Sequence, residues 1–171
     1  MSKAKPGATT PKPEARRQGP EHRSPKPEAR RPRVTYGAGT ADDPWIVKTP
    51  SLSSEYRAWR DETLKPPALV VQVGTTTLSY RLECIDHLAA MLRAHGDWMP
   101  LGNADEGKPV QPGTVEAWAR DAKNPVGGYY GLRKGYRGRF ANYVTPILEL
   151  MGVVELEHGP RNNRARAIAK R

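Results

Sequence analysis

The chain has 171 residues, of which 28 are Lys or Arg and 18 are Asp or Glu, and its formal net charge is +10. A single cysteine excludes an intramolecular disulfide, and the longest apolar run, Ala68–Val71, is far too short to span a bilayer. The first residues lack the apolar stretch of a signal peptide, so we expect a cytoplasmic protein without membrane contact.

The charge is distributed unevenly. Residues 1–33 carry ten Lys or Arg and three Glu, residues 34–119 carry seven basic and eleven acidic side chains, and residues 120–171 carry eleven basic and four acidic ones. Basic ends favour a polyanionic partner, whereas the acidic middle does not. A solvated basic surface without any partner is the alternative interpretation.

Residues 1–35 are predicted to be a disordered, basic, proline-rich tail. Residues 1–33 contain seven prolines and no Val, Ile, Leu, Phe, Tyr, Trp or Cys, so they cannot bury enough apolar area to offset their ordering entropy. The heptapeptide Pro-Lys-Pro-Glu-Ala-Arg-Arg occurs at 11–17 and again at 25–31. The tail is either an extended linker or a polybasic arm that contacts phosphates non-specifically.

Residues 36–81 are predicted to form a small antiparallel sheet. Asp42-Asp43-Pro44 is typical of a turn, and residues 55–62 alternate in the manner of a strand. Ala68–Val73 is apolar and rich in β-branched residues, and a Gly-Thr-Thr turn separates it from a return strand over Thr77–Arg81.

Residues 82–171 begin with helical spacing. Apolar residues at i, i+3, i+4 and i+7 predict a helix over 83–95 that ends at Gly96. Thr114 is a suitable N-cap for a short helix over 115–121.

A third helix and a hairpin complete the pattern. Apolar residues on one face predict a helix over 140–151, in which Pro146 introduces either a kink or a break. Residues 153–157 and 164–168 are predicted to pair as a hairpin. A helix followed by a hairpin tipped with arginines is the outline of a winged helix.

The predicted fold class is therefore α+β, with a small antiparallel sheet followed by a winged-helix-like domain and a disordered N-terminal tail. Residues 36–81 form the sheet segment and residues 82–171 the winged-helix-like segment. We expect residues 36–171 to form one compact domain.

Residues 147–168 resemble the end of a MarR-type winged helix. In that family the wing arginine reaches the minor groove, and the preceding helix enters the major groove. By this resemblance Arg161 and Arg164 are wing contacts. Arg139, Asn142 and Tyr143 lie on the exposed face of the recognition helix. The matching residues are Leu148-Glu149-Leu150-Met151-Gly152-Val153-Val154 and Pro160-Arg161-Asn162-Asn163-Arg164-Ala165.

The resemblance implies the winged-helix outline and not a ligand-responsive repressor. The long terminal helices that form the dimer in that family are absent, and residues 122–137 lengthen the turn before the third helix. The body as a whole is similar to uncharacterised bacterial proteins grouped as a domain of unknown function. The wing arginines have an alternative interpretation, in which they pair with Glu149, Glu155 or Glu157 and only stabilise the hairpin.

Residues 127–139 form a glycine-rich loop that also contains cations and tyrosines. Glycines let backbone amides approach an anion, tyrosines stack on bases and arginines bind phosphate bidentately. The alternative is a structural loop whose tyrosines fill the core. We expect Tyr129 and Tyr130 to be buried and the cations to be exposed. Those cations are Arg133, Lys134, Arg137 and Arg139.

No catalytic residue, metal site or cofactor is predicted. The chain lacks a Gly-x-Ser-x-Gly sequence, and the glycine-rich loop lacks the Gly-Lys-Ser/Thr ending of a P-loop. Cys84 and His87 share a helix face, but structural zinc needs four ligands, so Cys84 is expected in the core. The acidic pair Asp105-Glu106 is expected to be solvated or to cap a turn.

We predict a nucleic-acid-binding protein with duplex DNA as its partner, acting as a transcriptional regulator or a nucleoid-associated factor. RNA is the second candidate ligand. A winged-helix protein–protein interaction module is the alternative. The predicted contact residues are Arg133, Lys134, Arg137, Arg139, Asn142, Tyr143, Arg161, Asn162, Asn163, Arg164 and Arg166.

Overall fold

The structure, a computed structural model, describes residue 7 and residues 37–169. Apart from residue 7, the predicted tail lies outside the described residues. Within the described part, the chain forms a four-stranded antiparallel sheet, three helices and a three-stranded sheet, so the predicted α+β class is confirmed. None of these helices has both the length and the apolar composition needed to cross a bilayer.

The first sheet is an antiparallel meander whose strands pair in chain order. β3 is an interior strand of this sheet and is largely buried. The β3–β4 hairpin and β2 were predicted at nearly these bounds, whereas β1 was not predicted. The strands are β1 (Trp45–Lys48), β2 (Glu55–Asp61), β3 (Ala68–Val73) and β4 (Thr76–Arg81).

Two helices follow the first sheet. α1 (Cys84–His95) ends at Gly96, whose φ of 74° is the left-handed conformation that the sequence predicted for this position. α2 (Val115–Trp118) is shorter than predicted, and the Thr114 hydroxyl caps it by accepting the N–H of Ala117 at 3.1 Å.

The last helix and the second sheet complete the fold. α3 (Phe140–Leu150) contains Pro146 without a break. The predicted hairpin is confirmed, with β6 (Val154–Leu156) antiparallel to β7 (Arg164–Ala167). β5 (Met99–Pro100) pairs with the other edge of β7, so the strand order of this sheet is β5-β7-β6.

α3 lies at the centre of the core, where it contacts the first sheet as well as the second. Phe140 is 2% exposed, and its ring packs edge-on against Tyr80 at 5.5 Å between centroids. The Tyr56 hydroxyl donates a hydrogen bond of 2.7 Å to the carbonyl oxygen of Tyr143. These contacts leave little of α3 exposed, so few of its side chains are accessible to a partner.

Candidate nucleic-acid interface

The β6–β7 hairpin carries two predicted contact residues, Arg164 and Arg166, on its exposed face. Arg164 contacts Glu157 at 2.6 Å, and Arg166 contacts Glu155 at 2.8 Å. The hydrogen bond from Arg164 lowers the pKa of Glu157, against an opposing effect of desolvation. Both guanidinium groups also lie over the Trp98 ring. Both arginines are therefore ion-paired with glutamates of the hairpin.

The tip of the hairpin, residues 158–163, is fixed by its own polar groups. Asn163 is buried. Its side chain donates to the carbonyl of Gly159 at 2.9 Å and accepts the N–H of Gly159 at 2.6 Å. Asn162 has a φ of 57°, a conformation uncommon outside glycine. Arg161 is exposed and forms no ion pair with any other residue of the described chain. The tip therefore presents, on a defined turn, a guanidinium that has no acidic partner among residues 37–169.

His158 ties the hairpin to the rest of the domain. Its Nδ1 lies 2.8 Å from the carbonyl oxygen of Pro50, and its Nε2 lies 2.7 Å from the carboxylate of Glu149. Both partner atoms are hydrogen-bond acceptors. The base of the tip is thereby held against α3 and the segment after β1.

The glycine-rich loop divides between core and surface. Tyr130 is buried as predicted, whereas Tyr129 is half-buried. Arg133 and Lys134 are exposed, and the Arg133 guanidinium lies 4.0 Å from the centroid of the Tyr136 ring. One part of this loop therefore belongs to the core, through Tyr130, and another part is surface that presents Arg133 and Lys134.

The other two cations of this loop are paired with acids. Arg139 donates to the Asp105 carboxylate at 2.6 Å, and this hydrogen bond lowers the pKa of Asp105. Arg137 is half-buried and contacts Glu106. Asp105 is therefore solvent-exposed as expected, but both acids form ion pairs, and these two arginines are largely neutralised.

The prediction that Tyr143 lies on the exposed face of a recognition helix is wrong. Tyr143 is 8% exposed, and its ring packs edge-on against Tyr56 at 5.2 Å. Tyr56 of β2 therefore covers this position of α3. Asn142 remains half-buried and accessible, and Arg139 is exposed at the N-cap.

A buried ion pair that the sequence did not predict connects α2 to the start of α3 and to the loop that contains Ala104 and Lys108. Glu116 and Arg120 contact at 2.8 Å, with side chains 1% and 9% exposed. Arg120 also donates to the carbonyl oxygens of Ala104 and Lys108. The Glu116 carboxylate accepts the N–H of Ala141 at 2.9 Å. Burial raises the pKa of Glu116 despite these stabilising contacts.

A cleft of about 730 Å³, hereafter the wing cleft, lies beside the hairpin tip. One wall is residues 160–164, and the opposite wall is formed by residues 100–104 and 109–111. Residues 50–51, Thr114, Glu116 and Asn142 complete the lining. Such a volume is in the range of small-molecule sites.

The structure brings together five of the eleven predicted contact residues. Arg139 and Tyr143 border a separate cavity of about 300 Å³. The wing cleft and the glycine-rich loop are therefore two surfaces and not one continuous site. The five residues that line the wing cleft are Asn142, Arg161, Asn162, Asn163 and Arg164.

The sequence also missed residues of the opposite wall. Asn103 and Gln111 line the wing cleft, in a segment whose sequence is typical of a loop. Two amide residues near Pro109 are a weak sequence signal of a binding site, because amides and prolines are common in loops. Only the tertiary structure places them opposite the hairpin tip.

The chain belongs to a family described as "Family of unknown function (DUF6855)", whose model matches residues 37–168. The similarity to an uncharacterised domain family is therefore confirmed. No curated protein and no solved structure matches the chain. The family description names no activity, so a function has to be argued from the site.

Proposed function

We propose that this member of the DUF6855 family binds nucleic acid, with duplex DNA as its partner, through the hairpin tip and the basic arm of residues 1–33. The exposed guanidinium of Arg161 carries the proposal, because it has no acidic partner in the described chain and stands on a fixed tip. Arginine at such a tip is favoured in a narrow minor groove. The hairpin would serve as the wing.

The order of elements supports this assignment. From α1 to β7 the chain runs helix, strand, helix, helix, strand, strand, and the sheet order is β5-β7-β6. This order is compatible with a winged helix in which β6 and β7 would form the wing. The buried face of α3 argues against base readout by a major-groove helix, so we expect little sequence specificity, as in a nucleoid-associated factor.

The distribution of charge assigns separate roles to the arm and the wing. Residues 37–169 contain sixteen Lys or Arg and fifteen Asp or Glu, a formal charge of +1. Residues 1–33 carry +7 by the same count. Because affinity for duplex DNA grows with the number of phosphates neutralised, the arm supplies most of the affinity and the wing orients the folded part.

Deleting residues 1–33 is expected to weaken duplex binding strongly and to leave the melting temperature almost unchanged. The deleted segment has no side chain able to join an apolar core. The slope of log affinity against log salt should fall by about 0.9 for each phosphate that the shortened chain no longer neutralises. Fluorescence anisotropy and thermal denaturation measure the two effects. Unfolding of the truncated chain would show that these residues pack against the body.

Replacing Arg161 and Arg164 together with alanine is expected to weaken duplex binding at low salt and to leave folding nearly intact. Loss of the exposed Arg164–Glu157 pair should cost at most about 1 kcal/mol of unfolding free energy. Arg93→Ala is the matched control, because Arg93 is exposed on α1 outside the wing. Unchanged affinity of the double variant would exclude a wing contact.

A protein–protein interaction module is the second candidate function. The near-neutral charge of residues 37–169 favours it, and so do exposed apolar side chains such as Leu132 and Tyr136, which are 37% and 40% exposed. The dependence of affinity on salt concentration distinguishes the two functions, because binding through phosphates weakens steeply as the salt concentration rises. Binding through an apolar patch does not.

A further inference from the structure

We propose that the wing cleft accepts one unpaired nucleotide, with side-chain amides binding the base edge and Arg161 binding the phosphate. The inference rests on the proposed function and names the feature of the nucleic acid that the folded part recognises. Three features of the cleft support it. They are the side-chain amides without hydrogen-bond partners among the described residues, the donors and acceptors that these amides offer, and the shape of the cleft.

Four side-chain amides line this cleft without a hydrogen-bond partner among the described residues. The side chains of Asn103, Gln111, Asn142 and Asn162 form no hydrogen bond to any other residue in the part of the chain that the structure describes. Asn142 is the most informative of them, because it is half-buried at the start of a helix whose other face is in the core. Buried polar groups normally find partners, so a half-buried amide facing an open cleft is available to a ligand.

Two other asparagines of the described chain show the contrast. The Asn124 amide, away from the wing cleft, donates to the carbonyl oxygens of Trp118 and Gly128, each at 2.8 Å, and its oxygen accepts the N–H of Val126. Asn163 lines the wing cleft, but its amide is bonded to Gly159 within the hairpin tip. These two amides have structural roles, whereas the four amides named above have donors and acceptors to spare.

The chemistry of the cleft matches a nucleotide. Each amide offers two donors and an acceptor side by side, which suits the neighbouring donor and acceptor of a base edge, as in bidentate contacts to adenine. Arg161 supplies a flat cation for the phosphate. The described lining contains prolines but no aromatic ring, so the base would lie against proline faces and guanidinium planes.

The shape of the cleft selects an unpaired nucleotide. Base edges in a duplex lie at the floor of a groove and cannot enter a recess between a hairpin tip and a loop. A base that has left its stack can present its hydrogen-bonding edge to such a recess. The same contacts would bind a free mononucleotide, so the source of the nucleotide is decided by comparing free and strand-borne ligands.

The first measurement is a titration of the full ¹⁵N-labelled chain with deoxyadenosine monophosphate. We expect the side-chain NH₂ signals of Gln111 and Asn142 to shift and that of Gln72 to stay in place. Gln72 lies on β3, away from the wing cleft. Absence of any shift in the cleft amides with millimolar nucleotide would overturn the inference.

The second measurement compares three ligands: this mononucleotide, a single-stranded oligonucleotide and a closed hairpin duplex. The double variant Gln111→Ala, Asn142→Ala is expected to bind the single strand about tenfold more weakly than the parent, since two hydrogen-bonding side chains are removed. Gln72→Ala should bind as the parent does. Alanine is a good helix former, so Asn142→Ala is not expected to unfold α3.

The outcomes distinguish this inference from the proposed function. If duplex binding depends on salt and on Arg161, but the double variant binds all three ligands as the parent does, the inference fails and the proposed function stands. If the cleft amides respond to mononucleotide while the duplex does not bind, the proposed function fails. Tighter binding of the single strand than of the mononucleotide identifies the source as an unpaired position within a strand.

Discussion

Replacing Arg120 with methionine is expected to lower the free energy of unfolding by about 3–5 kcal/mol. The substitution leaves the Glu116 carboxylate, 1% exposed, without its counter-ion. It also removes donors to the carbonyl oxygens of Ala104 and Lys108, which hold one wall of the wing cleft. Chemical denaturation at neutral pH measures the change. A decrease below about 1 kcal/mol would contradict this role.

Two further measurements isolate the buried charge as the cause. Adding Glu116→Gln to the Arg120→Met variant should recover part of the stability, because an amide can still accept the N–H of Ala141 and carries no charge. Arg93→Ala, which removes an exposed cation, should change the free energy of unfolding by less than about 0.5 kcal/mol.

The destabilisation should also depend on pH in a defined direction. Burial raises the pKa of Glu116 above that of the unfolded chain, so the folded state binds more protons between the two values. The contribution of this carboxyl to stability therefore falls as pH rises through that window. In the Arg120→Met variant the pKa of Glu116 should rise further, which widens this pH window. The loss of unfolding free energy relative to the parent should therefore be smaller at acidic than at neutral pH. A loss that grows on acidification would contradict this assignment.

Replacing Phe140 with alanine is expected to cost about 3–5 kcal/mol of unfolding free energy. The ring is 2% exposed and packs against the rings of Tyr80, Tyr130 and Trp118, which come from the first sheet, the glycine-rich loop and α2. Removing it opens a cavity where three parts of the fold meet.

Leu132→Ala provides the comparison for Phe140→Ala. Leu132 is 37% exposed, so its truncation should cost well under half as much. Urea denaturation of both variants, with the slope checked for two-state behaviour, measures the difference. Equal costs for the two substitutions would contradict the central position of Phe140.

Local patterns in the sequence were enough to predict most of the elements. β3 is a β-branched run followed by a turn, and α1 has apolar side chains at helical spacing and a glycine at its end. β6 and β7 alternate in apolar and polar residues, which gives the register in which Glu155 faces Arg166. Each of these signals acts within about a dozen residues, where spacing and turn chemistry determine the structure.

The candidate site was predicted less completely because it depends on distant contacts. Tyr143 was placed on an exposed helix face by the resemblance to a winged helix, and its burial comes from Tyr56, which lies 87 residues earlier in the chain. The neutralisation of Arg139 by Asp105 spans 34 residues. No local periodicity encodes either contact, so the sequence identified the cations without showing which of them are free.

Nucleic-acid binding is best tested by titrating the full chain with labelled duplex DNA, single-stranded DNA and RNA at about 50 mM and about 200 mM salt. We expect duplex binding that weakens steeply between the two salt concentrations and that becomes weaker in the Arg161→Ala variant at low salt. Absence of duplex binding at low salt, or an affinity that neither salt nor Arg161→Ala changes, would contradict the proposed function and favour protein–protein interaction.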